Sequence, residues 1–210
     1  ALLCGVVSSA MIIFHGAIYL MHRTEGEVYQ RSRMAMMLAG MVLLATFTAA
    51  GLWVQYIPGY AYASVVDVAA LPNPLAKEVV REAGAWMANY RSMPVTLLVP
   101  ALAYLGAIAA LLLAMRGRTL TAFVASSLAI VGIIGTAGVS MFPFVMPSST
   151  VPNASLTVWD AVSSHLTLTI MFWATMIFMP IIVVYTSWAY KVMSGKVTAA
   201  YIRENEHAAY

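Results

Sequence analysis

L-T-L-T-I-M-F-W-A-T-M-I-F-M-P-I-I-V-V-Y-T-S-W-A-Y, residues 166–190, carries no charged side chain. About 20 apolar residues, at 1.5 Å of helical rise each, cross the hydrocarbon core of a bilayer. This stretch therefore reads as a membrane span. Working back along the chain, four more runs meet the same test: 120–142, 95–115, 34–56 and 1–20. Of the 210 residues, 62% are hydrophobic and 9% charged, against about 25% charged in soluble domains. The mean hydropathy is +0.84. The expectation is an all-α integral membrane protein, one membrane domain over 1–210 built as a bundle of five transmembrane helices.

Charge sets the expected orientation. The segments 21–33 and 116–119 and the tail from Lys191 hold Arg23, Arg31, Arg33, Arg116, Arg118, Lys191, Lys196 and Arg203, eight of the eleven Lys and Arg residues. The opposite side holds Lys77, Arg81 and Arg91, all in the loop between the second and third runs. Basic residues accumulate on the cytoplasmic side. That places the tail in the cytoplasm and the loops 57–93 and 143–165 outside. Trp53, Tyr56 and Tyr60 at one boundary, and Tyr185, Trp188 and Tyr190 at the other, fit the aromatic belts of a bilayer. A net charge of +3 gives no dense basic face, so nucleic acid is excluded as a partner. One cysteine, Cys4, rules out an internal disulfide or a multi-cysteine metal site and is expected to be a small buried residue. No charged start and cleavage site precede the first run, and the chain is expected to be the later part of something longer.

Local signals refine this frame. Asn73-Pro74 is a helix-start pair. Val79, Ala83, Trp86, Met87 and Tyr90 then share one helical face, which predicts a short amphipathic helix in the first outer loop. Such a helix would lie on the leaflet, on a partner, or over the bundle as a solvated cap. Gly132, Thr136 and Ser140 recur every four positions, with Gly135 and Gly138 beside them, which marks a close helix–helix contact in lipid. The alanine- and leucine-rich third run looks like a lipid-facing wall. Pro100 and Pro180 fall inside runs and predict kinks.

Residues 141–168, M-F-P-F-V-M-P-S-S-T-V-P-N-A-S-L-T-V-W-D-A-V-S-S-H-L-T-L, form a long, proline-stiffened, base-free connector. Its candidates are Trp159, Asp160 and His165, as a quinone or subunit-interface site. Thr157 to Asp160 has capping-box spacing, which gives Asp160 a structural role at a helix start. The competing role, a carboxylate–imidazole pair with His165, needs convergence that a spacing of five on a helix opposes. His15 lies mid-membrane, where an ionisable residue marks a heme ligand, a proton relay or a quinone hydrogen-bond partner. A hydrogen bond to a neighbouring helix satisfies it equally. Asn153-Ala-Ser155 matches a glycosylation acceptor, a common motif. The methionines show no ligand-spaced cluster. No phosphate loop, nucleotide fingerprint or triad spacing occurs, and neither a catalytic residue nor a metal ligand is expected.

Several segments resemble one family. M-F-P-F-V-M-P-S-S at 141–149, S-L-T-V-W-D-A-V-S-S-H-L-T-L at 155–168, N-P-L-A-K-E-V-V-R-E-A-G-A-W at 73–86, G-A-I-Y-L-M-H-R-T-E-G-E at 16–27 and Y-I-R-E-N-E-H-A-A-Y at 201–210 are similar to subunit II of cytochrome bd quinol oxidases. The resemblance implies a subunit of a prokaryotic respiratory oxidase that oxidises quinol and reduces dioxygen to water in the cytoplasmic membrane. It implies hemes b and d in a partner, subunit I, together with a small accessory subunit and a bound quinone. Members are longer at the N-terminus, so the family's acidic proton-path residues map to no position here. A scaffold without redox role and half of a secondary transporter are the alternatives. The transporter reading is weakened by the lack of a mid-membrane acid. The topology predicts that protease added to intact cells spares Lys191, Lys196 and Arg203. Cleavage there would reverse the orientation.

Overall fold

The computed structural model describes residues 1–64, 72–192, 194–198, 200 and 203. The chain is an all-α integral membrane protein with five helices long and apolar enough to cross a bilayer. These are α1 (Leu2–Arg23), α2 (Gly26–Trp53), α4 (Leu98–Met115), α5 (Thr119–Met141) and α6 (His165–Val192), with the short α3 (Ala88–Ser92) between α2 and α4. Four of them close a ring, in which α1 contacts α2 and α5, and α4 contacts α2 and α5.

The ring is built on two kinds of contact. Phe14, Ile18 and Met21 of α1 are fully buried against Met36 and Leu43 of α2, and share one core with Ala110, Ala114 and Ala122. Between α4 and α5 the faces are small: Ala103, Gly106, Ala107, Ala110 and Ala114 meet Ala122, Ala125, Ser126, Ala129 and Gly132. A Cβ on Gly132 would sit 2.4 Å from the backbone nitrogen of Ala103, and one on Gly106 would sit 2.7 Å from that of Ala129. In lipid, helices gain little by burying apolar surface, so close backbone approach carries the association. The stripe read from the sequence is confirmed at Gly132. Gly138 meets nothing within 4 Å.

The turn between α4 and α5 needs its glycine. Gly117 has φ +76°, and the Arg118 N–H reaches back to the Leu113 carbonyl at 2.9 Å. This is the six-to-one bond that closes a helix through a left-handed residue. The α1–α2 turn is capped by the Thr24 hydroxyl, which donates to the Leu20 carbonyl at 2.7 Å.

Four expectations are corrected. The amphipathic helix expected over residues 73–90 does not form in its first half, and only Ala85–Ser92 is helical. Asn73 Oδ1 accepts from the Leu75 N–H at 3.0 Å in a local turn, and the chain then runs extended as β2 (Val79–Ala83). It pairs antiparallel with β1 (Pro58–Tyr62), Tyr62 opposite Val79 and Pro58 opposite Ala83. The helical periodicity lost to a strand partner lying across the loop, and Gly84 at φ +75° ends the strand. The third span is no lipid-facing wall, because its alanine face is the one α5 covers. Pro100 sits in the first turn of α4, where its missing N–H breaks no bond, whereas Pro180 is interior to α6. Cys4 is exposed.

The last apolar helix has the least internal support. None of the residues of α6 is buried. Near its end the Arg23 guanidinium donates to the Gly195 carbonyl at 2.9 Å, and the Val197 N–H donates to the Arg23 carbonyl at 2.8 Å. The resembling segment 201–210 lies outside the described residues apart from Arg203.

Gly132→Val is expected to force α4 and α5 apart and to destabilise the protein by about 3 kcal/mol, the upper end for overpacking a close contact. Gly138→Ala should leave it within about 0.5 kcal/mol. Thermal unfolding in detergent measures both, and equal midpoints would refute the backbone contact.

Candidate functional site

On the side away from the basic turns, the two loops fold into one cap. Strand β3 (Phe144–Met146) pairs antiparallel with β4 (Leu156–Thr157), next to the β1–β2 pair. Aromatic rings fill the space between them. Tyr62 stacks on Phe144 at 5.5 Å and tilts against Trp159 at 6.0 Å, and Trp159 meets Phe142 edge-on at 5.6 Å. Tyr60 lies against Phe144 and Trp86. Of the aromatics expected at the boundary, Tyr60 alone reaches inward, because it belongs to β1 rather than to the end of α2, whereas Trp53 and Tyr56 stay exposed.

The cap is joined by a buried ion pair. Lys77 Nζ contacts Asp160 Oδ2, the two side chains being only 4% and 8% exposed. Lys77 also donates to the Pro74 carbonyl at 2.8 Å. The other carboxylate oxygen of Asp160 accepts from the Thr157 N–H at 2.7 Å, and Thr157 Oγ1 accepts from the Tyr62 hydroxyl at 2.8 Å. Each polar atom of the set has a partner, the condition under which buried polar groups are tolerated. Two further bonds stitch the loops: the Val79 N–H donates to Asn153 Oδ1 at 2.8 Å, and the Tyr60 hydroxyl donates to the Ser148 carbonyl at 2.7 Å. Asn153 of the glycosylation motif is thereby a structural acceptor. Asn89 Nδ2 and the Tyr90 hydroxyl fasten the cap to the end of α5, donating to the carbonyls of Val139 and Thr136, both at 2.8 Å.

Asp160 keeps half of its predicted capping role. Its bond back to the Thr157 N–H is the one a capping box makes, but only a single turn follows, closed by the Ala161 N–H to the Thr157 carbonyl. α6 starts at His165, where Ser164 Oγ accepts weakly from the Thr167 N–H at 3.4 Å. His165 is exposed and shares no hydrogen bond with Asp160 among the described residues. The missed residue is Lys77, which sequence spacing could not pair with Asp160 across 83 positions.

Burial pushes the Asp160 carboxyl up, but the Lys77 ammonium and the two Thr157 hydrogen bonds outweigh it and hold the group below its usual range. Burial pushes the Tyr62 hydroxyl up; the bond to Thr157 opposes this, and the negative charge of Asp160 adds to it. A depressed carboxylate stabilises the fold above its unfolded value of 3.8 and loses that contribution as pH falls through the folded value. A raised tyrosine contributes below 10.0 and loses it as pH rises through the folded value. The cap is therefore held between these limits.

His15 lies far from this cap in its fold context, on the α1–α5 seam. Its Nδ1 is 2.8 Å from Ser126 Oγ, and its ring stacks on Phe123 at 4.5 Å. Ser126 Oγ also lies 2.8 Å from the Phe123 carbonyl. One turn pair further, His22 Nδ1 is 3.1 Å from Thr119 Oγ1. His15 and His22 are two turns apart on one helix, roughly 10 Å, too far to face each other across one iron. His15 and His22 therefore do not serve together as the two axial ligands of one heme, while a bond at Nδ1 leaves each Nε2 open. A separate groove of about 820 Å³ runs between α1 and α2, lined by Gly5, Ser9, Ala10, Ala35 and Ala39 among others, with Ser9 its single polar side chain.

The sequence matches the family model described as cytochrome bd terminal oxidase subunit II over residues 1–193. It is 50% identical over its whole length to cytochrome bd-I ubiquinol oxidase subunit 2 of Escherichia coli K12, covering 55% of that protein. It is 41% identical, again over its whole length, to the probable cytochrome oxidase subunit 2 of Haemophilus influenzae, covering 56% of that one. The chain belongs to the cytochrome bd terminal oxidase subunit II family, and it spans about half the length of the curated relatives it matches.

Removing one member of a buried ion pair leaves an unpaired charge and costs about 3–5 kcal/mol. Asp160→Leu and Lys77→Met are each expected to lose stability of that order, and the double variant to recover most of it. Thermal unfolding, with proteolysis of residues 143–165 as a local readout, measures the cycle. Acidification should begin to erode this contribution near the unfolded value of 3.8 and remove it only once pH has fallen through the lower folded value.

Proposed function

We propose that this chain works as the non-heme-ligating subunit of a bd-type terminal oxidase in a prokaryotic cytoplasmic membrane. In that reaction two quinols give four electrons to dioxygen, and four protons are taken up to form two waters. The observation that carries the reading is the 50% identity with bd-I subunit 2, which extends over all 210 residues and so over every span and both loops. Hemes b and d belong to the partner, subunit I, in this reading. The basic turns face the cytoplasm, where protons for water enter, and the cap faces outward, where quinol protons leave.

Within that complex the cap is the docking element. Trp159 and Phe142 present an aromatic edge beside it, and α6 offers a span with no buried residue to subunit I. Trp159, Asp160 and His165 are interface positions in this account, with Asp160 holding the cap rather than moving protons. His15 serves helix registration between α1 and α5. A bound quinone and a small accessory subunit are consistent with the family and have no assigned residues here.

Gentle purification of the tagged full-length protein should bring down a partner with heme bands in the visible spectrum. A homogeneous, colourless single chain would sink the reading. Asp160→Asn should reduce the partner recovered several-fold while oxygen consumption per heme stays unchanged. A fully assembled but inactive variant would move Asp160 into the chemistry.

A further inference from the structure

α6 has bare sides but tied ends. Its 28 residues run about 42 Å at 1.5 Å of rise each, and none of them is buried. Phe172, Trp173, Phe178 and Trp188 are all exposed. At the cap end, residues 161–164 join the helix to Asp160, which Lys77 holds. At the other end the chain turns back toward α1. Gly195 makes that turn at φ +121°, a backbone conformation that glycine adopts without a steric penalty.

The returning tail is held by one residue, Arg23, the last of α1. The final carbonyls of a helix have no partner within it. In α1 the Leu20 carbonyl is taken by Thr24, through both its N–H and its hydroxyl. The Arg23 carbonyl is taken by the tail, accepting the Val197 N–H at 2.8 Å. The Arg23 guanidinium donates to the Gly195 carbonyl at 2.9 Å. Main chain and side chain of Arg23 therefore grip the tail on either side of Lys196. Tyr19, one turn back on α1, places the guanidinium, with Cζ 5.7 Å from its ring centroid, within cation–π range. Arg23 forms no salt bridge among the described residues, so no carboxylate there competes with the tail for it.

We propose that Arg23 is the anchor of a latch that fixes the C-terminal tail against α1 and so sets where α6 stands. With the latch closed, α6 hangs on α1 at one end and on the cap at the other, and its sides stay free for a neighbour. The consequence for assembly rests on the oxidase reading. A span already held in place gives up less orientational freedom when subunit I packs on it. Arg23 is a positioning residue in this account and takes no part in the chemistry.

The test uses the detergent-solubilised full-length protein with its co-purifying subunits and a lysine-specific endoprotease, the products being read by mass. Cleavage after Lys196 needs the main chain there released from Arg23, because hydrogen-bonded backbone resists proteolysis. Where opening is fast, the rate follows the open population. Arg23→Ala should be cut there roughly fivefold faster, the change in population that one net hydrogen bond makes. Arg31→Ala, which removes a nearby cation already paired with Glu27, should match wild type. The heme-bearing partner recovered with Arg23→Ala should fall, while oxygen consumption per heme stays unchanged. Equal cleavage of wild type and Arg23→Ala, or equal acceleration by Arg31→Ala, overturns the latch. If Arg23→Ala does not fold, hydrogen exchange of the wild type decides: a slowed Val197 amide supports the latch, and exchange at the free-peptide rate overturns it. A protected wild type that brings down no heme fails the oxidase reading and leaves the latch standing. Accelerated cleavage with full assembly overturns the latch's role in docking.

Discussion

The contact on which the architecture depends is the backbone-to-backbone approach of α4 and α5 at Gly132 and Gly106. A bilayer removes the driving force that buries leucines in water, so van der Waals contact between closely placed backbones has to hold the helices. Glycine and alanine permit that distance, and any added carbon at Gly132 would collide with the Ala103 backbone. Once α4 and α5 are locked, α1 lies against α5 in the one register that aligns His15 with Ser126 and His22 with Thr119.

The cap solves a different problem. Two loops far apart in sequence carry strand edges and polar side chains that would be poorly satisfied alone. Pairing β1 with β2 and β3 with β4 satisfies backbone groups locally, and the aromatic rings between the pairs exclude water. Lys77 and Asp160 then meet in a site dry enough that either charge alone would be costly. Such a pair contributes little net stability compared with apolar residues of the same shape. It does specify which loop meets which, because only the right partner neutralises the charge.

Legibility followed the range of the interactions. The five spans and the close helix contact at Gly132 follow from composition and local spacing, and the structure holds both. Residues 73–90 were misread because their helical periodicity was real while the deciding interaction, pairing of Val79 with Tyr62, lay outside any local window. The third span was misread as a wall because alanine and leucine give no hint of which face meets a neighbour. Asp160 was legible in its bond to Thr157, three residues away, and illegible in its pair with Lys77. In each case the sequence pattern reports the local term, and a long-range contact overrides or completes it.

The order in which the pair's two halves are made has a consequence for synthesis. Lys77 precedes Asp160 by 83 positions, and chains grow at about 5–20 residues per second, so Lys77 waits roughly 4–17 s for its counterion. During that interval α4 and α5 emerge and can close on each other through their small faces. The cap is then the last part of the four-helix ring to be completed, and it is sealed by the segment that leads directly into α6. The ion pair thus acts as a timestamp on the nascent chain, joining early and late segments only after the helices between them are in place.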